Sequence, residues 1–118
     1  MSPPSRNEQL SLIRGTLDLL VLKALSWGPM HGCDVATWLE QGSSGSIWVE
    51  DSALYQALHR LEGRGFLEAE WGVSENNRRA KYYSLTPEGR RHLRVESSTW
   101  EEYSRSVSSI LALKSKAV

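Results

Sequence analysis

Cysteine is nearly absent: Cys33 stands alone, so no intrachain disulfide can form and no zinc site built of thiolates is possible. A single thiol suits a reducing compartment, and a cytoplasmic location is expected. Long apolar runs are missing as well. The most hydrophobic stretch, residues 10–25, is interrupted by Arg14, Asp18 and Lys23, so no segment reads as membrane-spanning. The N-terminus lacks the basic, apolar and small-residue order of a secretion signal. Histidine is sparse, and His31, His59 and His92 show no metal-ligand spacing. Gly28-Pro29-Met30-His31-Gly32 is too short for a phosphate loop and lacks its lysine. Neither a metal nor an organic cofactor is expected, and an enzyme reading has little support. Net charge is absent too, with 14 basic and 14 acidic residues, which denies the chain the long-range pull on polyanions that a basic protein enjoys.

The remaining pattern is mostly helical. Met1–Asn7, with Pro3 and Pro4, reads as a flexible arm. From Glu8 to Trp27, Leu10, Ile13, Leu17, Leu20 and Ala24 repeat at spacings of three and four, a helical seam. Further leucines make this helix apolar nearly all round, so it needs cover from more than one side. In a chain of 118 residues, that predicts a neighbouring subunit. Gly28-Pro29 ends it, and a second helix is predicted from His31 to Gln41. After the Gly42-Ser43-Ser44-Gly45 connector, Ile47-Trp48-Val49 reads as a short extended piece. Asp51 or Ser52 is placed to cap a third helix that stops at Gly65.

Beyond Gly65 the period becomes two. Leu67, Ala69, Trp71 and Val73 alternate with Glu68, Glu70 and Gly72, and a returning strand runs from Arg79 to Leu85. Ser74–Arg78 forms the polar tip between them. Thr86-Pro87-Glu88 opens a last helix, running to Lys114, with cap, N1 proline and first-turn acid in order. Leu93, Trp100, Tyr103, Val107 and Ile110 give it a seam that nothing else in the chain is long enough to cover. The expected fold is mainly α with a small β-hairpin: a winged helix-turn-helix over residues 8–85 and a C-terminal dimerisation helix over 86–118. Leu10, Ile13, Leu17, Leu93, Trp100, Tyr103, Val107 and Ile110 are the expected dimer contacts.

The third helix and the hairpin tip carry the candidate chemistry. Leu54, Leu58 and Leu61 share one face, leaving Ser52, Gln56, His59, Arg60 and Gly63 on the other, with Tyr55 on the flank. Gln pairs with adenine and Arg with guanine in a major groove, and Ser52 near the helix start suits a phosphate. A merely solvated helix face would look the same. Asn76, Asn77, Arg78, Arg79 and Lys81 at the hairpin form a second cation cluster, suited to phosphate contact. A lone Arg-Arg pair is usually just a solvated turn, but in a winged fold both clusters lie on one side of the molecule. Of the five tryptophans, Trp38, Trp48 and Trp71 are assigned to the core and Trp27 to the end of the first helix. Trp100 is assigned to the dimer seam, where it serves as packing or as the wall of a ligand pocket. Cys33 is expected to be buried.

Several motifs in order resemble the PadR-like family of bacterial transcriptional regulators. They are Arg14-Gly15-Thr16-Leu17-Asp18, Pro29-Met30-His31-Gly32, Leu54-Tyr55-Gln56-Ala57-Leu58-His59-Arg60-Leu61-Glu62, Glu70-Trp71-Gly72, Asn77-Arg78-Arg79-Ala80-Lys81-Tyr82-Tyr83 and Leu85-Thr86-Pro87-Glu88-Gly89. The resemblance implies a homodimer that binds double-stranded DNA at a palindromic operator and represses a nearby gene. In some members a small aromatic effector enters a pocket near a tryptophan that Trp100 matches. Where the family often has glycine, then serine or threonine, and proline after the tyrosine, this chain has Ser52, Ala53 and Gln56. Two other readings use the same fold: a protein-interaction module, favoured by the neutral charge and by Glu50-Asp51, and a ligand-binding dimer centred on Trp100.

Overall fold

A computed structural model describes residues 16–114. The arm, the predicted helix start at Glu8, and the proposed dimer contacts Leu10 and Ile13 lie outside them. In chain order the elements are α1 (Leu17–Leu25), β1 (Met30–His31), α2 (Gly32–Gly42), α3 (Asp51–Gly63), β2 (Leu67–Val73), β3 (Arg79–Leu85) and α4 (Pro87–Leu111).

Helix α1 is the centre of the packing. Leu17, Val21, Leu22, Ala24 and Leu25 are all buried, and α2, α3, α4 and β3 pack around it. The all-round apolarity is therefore largely satisfied within the chain. Leu17 belongs to this core, and Leu93 packs against it, so both of these expected dimer contacts already pack within the chain. Ser26 ends α1, its hydroxyl donating to the Lys23 carbonyl at 2.6 Å. Trp27, assigned to close the helix, is 72% exposed just beyond it.

Pro29 then delivers the chain in extended form, and Met30 and His31 pair with Tyr83 and Tyr82 as a third strand. The sheet order is β1-β3-β2, all antiparallel. The sequence pattern places His31 in a helix because two residues are too few to show alternation. The strand exists because β3 would otherwise leave its second edge of backbone donors and acceptors unpaired. His31 also caps α2: its Nδ1 accepts from the Asp34 amide at 3.3 Å. Residues Ile47–Val49 form no strand; Val49 is instead a buried anchor of the core.

Helix α3 buries Leu54, Ala57, Leu58 and Leu61, one face at spacings of three and four. Its N-cap position is Glu50, without a side-chain cap bond, so Asp51 and Ser52 lie inside the first turn rather than capping it. Gly65, at φ +82°, reverses the chain as expected, and the Phe66 amide donates to the Leu61 carbonyl at 3.0 Å. The hairpin pairs Leu67 with Leu85 through Val73 with Arg79. At its tip Asn77 takes φ +58°, a left-handed position that asparagine tolerates.

The join to α4 is tightly specified. Thr86 Oγ1 accepts from the Gly89 amide at 3.0 Å and donates to the Gly65 carbonyl at 2.7 Å. A Cβ on Gly89 would lie 2.1 Å from the Phe66 carbonyl oxygen, so only glycine fits there. Phe66 stacks on His92 with centroids 4.1 Å apart. The helix then runs about 37 Å at 1.5 Å per residue, ending at Leu111, three residues short of the predicted Lys114.

Candidate nucleic-acid interface

The exposed surface of α3 carries Ser52, Tyr55, Gln56 and His59. These are the turns of the helix turned away from the leucine face, so the pattern that buries one side presents the other. Tyr55 leans toward α2. Its hydroxyl and ring occupy the space that a Cβ on Gly32 would need, at 2.8 Å. Burial of the phenol, then the nearby Cys33 and Asp51, raise its pKa above the ordinary tyrosine value. The phenol therefore stays protonated and able to donate. Cys33 is exposed rather than buried, because the second position of α2 faces this tyrosine and not the core.

The wing closes the other side of the same concavity. His31, Cys33, Tyr55, Trp71, Arg78, Arg79 and Lys81 are among the residues lining an open groove of about 540 Å³. Asn77, Arg78 and Arg79 are exposed. Among the described residues, neither arginine has a carboxylate partner, whereas Lys81 Nζ lies 3.2 Å from Glu62 Oε1 of α3. That hydrogen bond raises the Lys81 pKa and ties the wing to α3.

Arg60 departs from the expectation. Its Nη2 and Nε reach Asp18 of α1 at 2.5 and 3.2 Å, and this pairing raises its pKa further. Arg60 and Glu62 stand about 200° apart around the helix, so one is drawn toward α1 and the other toward the wing. Arg60 lines a second groove, of about 530 Å³, with Asp18, Arg64, His92, Trp100 and Tyr103. The structure thus gathers Tyr55 with the wing cations and sets Arg60 apart from them. Nothing in sequence spacing links Asp18 to Arg60, 42 residues away, or Glu62 to Lys81. Gly32 was visible within its motif, but the tyrosine filling its missing Cβ was not.

Trp71, expected in the core, is 56% exposed on the wing, with the Arg79 guanidinium 4.4 Å above its ring. Trp38 does pack against the core, and Trp48 is half-buried beside Asp51 and Ser52.

Three helices, a hairpin wing and an exposed helix face beside that wing define a winged helix-turn-helix protein. The chain belongs to the PadR-like family of transcriptional regulators, whose family model matches residues 21–95. It is 34% identical to a PadR family transcriptional regulator from Eggerthella lenta, covering 89% of each chain with a TM-score of 0.77. A transcriptional regulator from Clostridium thermocellum is 26% identical, with 84% of this chain and 96% of that one covered and a TM-score of 0.76. An uncharacterised protein of Lysinibacillus sphaericus is 26% identical over 91 residues, 77% of this chain and 84% of that protein. The protein is accordingly a DNA-binding regulator rather than an enzyme. No helix among the described residues is long and apolar enough to cross a membrane.

Proposed function

We propose that the protein is a homodimeric repressor whose two α3 helices read the halves of a palindromic operator about 34 Å apart, one DNA turn. Ser52, Tyr55, Gln56 and His59 face the base edges, while Asn77, Arg78 and Arg79 hold the backbone, with Lys81 behind them as the tie to α3. The observation that carries this reading is the shared groove: Tyr55 from α3 and both wing arginines open onto one concavity. Trp100, Tyr103, Val107 and Ile110, left exposed along α4, supply the surface for the second copy. The test is a gel shift with DNA from upstream of the protein's own gene, at near-physiological salt and against random competitor. A shift that survives competitor supports a specific regulator; a shift lost to competitor reduces the wing to nonspecific binding. Raised transcription of the downstream gene on deletion of the regulator would establish the repressor sign.

The groove beside Trp100 favours a second element of this reading, release from DNA by a small aromatic ligand. Trp100 and Tyr103 provide ring surface there. Quenching of tryptophan fluorescence by planar aromatics, matched by loss of the gel shift, is the expected result. Silence across a broad panel removes the effector from the proposal.

A further inference from the structure

One face of the wing alternates aromatic rings and cations in a way that the DNA reading alone does not require. The pairs Ala69–Tyr83, Trp71–Lys81 and Val73–Arg79 lie directly opposite one another, so their side chains share a face of the sheet. Along it, Tyr83 is 5% exposed and belongs to the core. Lys81 Nζ lies 5.3 Å from the Tyr83 ring centroid. Trp71 stands opposite Lys81, and the Arg79 guanidinium carbon lies 4.4 Å from the Trp71 centroid. The ladder climbs from the buried end of the hairpin to its tip, and Trp71, Arg79, Lys81 and Tyr83 all line the groove shared with Tyr55.

We propose that Trp71 is a positioning residue of the DNA interface, holding the Arg79 guanidinium flat so that its N–H edge meets a phosphate. This rests on the DNA-binding reading above. A guanidinium stacked through its face keeps its in-plane donors available, which an end-on ion pair would consume. Lys81 is committed to Glu62, so Arg79 is the rung of the ladder whose donors remain for a ligand. A half-exposed indole gains little from core burial, and on the wing it carries this arginine over its ring. Stacking restricts the arginine before DNA arrives, so less rotamer freedom is lost on binding.

The experiment uses the full chain and the DNA fragment it binds, with Kd measured by fluorescence anisotropy across a series of salt concentrations. Trp71→Ala is expected to weaken binding roughly five- to tenfold at every salt concentration without changing the salt slope, because no charge is removed. Arg79→Ala is expected to weaken binding and also flatten the slope by roughly 0.9. The double variant is expected to bind no worse than Arg79→Ala alone, since the indole acts through the arginine. Trp71→Phe, which keeps a ring, should recover most of the affinity. Melting temperatures of the Trp71 variants, compared with the parent, separate positioning from folding. Parental affinity in Trp71→Ala would overturn the proposal, as would effects that simply add in the double variant or that track a fall in melting temperature. A parent chain that binds no DNA overturns the DNA reading itself, and that outcome is seen before any variant is compared.

Discussion

The root of α4 and its outer half contrast within one continuous helix. At the root, Thr86 caps the helix, Gly89 sits against the Phe66 backbone, His92 stacks on Phe66 and Leu93 packs on the core. Farther out, Trp100, Tyr103, Val107 and Ile110 recur at spacings of three and four and are 45%, 63%, 38% and 66% exposed. The amphipathic pattern is continuous, but among the described residues only the first part finds its cover. The apolar seam of a helix therefore announces that something packs there, not whose side chains do. Leu93 and Ile110 read alike in sequence, yet among the described residues only Leu93 packs on the core.

The largest expected effect strikes the root. Gly89→Ala would drive a Cβ to 2.1 Å from a backbone oxygen, a clash that no side-chain rotation relieves. A destabilisation of about 3 kcal/mol or more is expected, at the upper end of overpacking effects, against a total stability of about 5–15 kcal/mol for a domain. Thermal or urea unfolding would show it. A near-parental melt would mean that the α4 root floats rather than anchors.

The next effect falls on the outer half. Val107→Asp with Ile110→Asp is expected to reduce the mass seen by light scattering to that of one chain while far-ultraviolet dichroism keeps the body's signature. Loss of the whole fold instead would show that the two halves form one cooperative unit with the second copy. Arg78→Ala with Arg79→Ala sharpens the comparison from the other side. It should leave mass and melting unchanged, weaken every DNA sequence alike, and flatten the salt slope by roughly 1.8, about 0.9 for each phosphate that is no longer neutralised. Unchanged DNA binding at several salt concentrations would remove the wing from the interface.

Much of this architecture was legible in the sequence, for identifiable reasons. Helices α2, α3 and α4 and the hairpin follow from periodicities of about 3.6 and 2, and their ends from Gly65 and the Thr86-Pro87-Glu88 start. What was misread turned on information that is not local. Strand β1 is two residues long and exists only because β3 offers an edge. Trp71 reads as core by residue type, yet the position of its face on the wing places it opposite Lys81 and under Arg79. The cover that Leu17 finds within the chain, from the elements packed around α1, is assembled only on folding. In the candidate interface, the exposed α3 face and the wing were visible as two separate clusters. Their placement on one side followed from the winged fold, but that Tyr55 lines the wing groove while Arg60 lines another did not.

The smallest expected effect is also the most discriminating, because it falls in the groove that α3 and α4 both line. Arg60 and Asp18 form a two-point ion pair in the groove that also holds Trp100 and Tyr103. Their side chains are 50% and 32% exposed, so water screens much of the attraction. Asp18→Asn should therefore cost less than about 1 kcal/mol of stability, a shift of a few degrees in melting at most. Its influence on DNA binding separates two roles for Arg60. If the arginine is only a brace between α1 and α3, the salt slope of the variant stays parental and affinity changes little. If Arg60, once released, swings out to the face that carries Gln56 and His59, the slope steepens by up to roughly 0.9 as one more phosphate is engaged. The observed pairing favours the brace, and a parental slope is the expected result. A steeper one would return Arg60 to the DNA-binding face and make Asp18 the residue that holds it back.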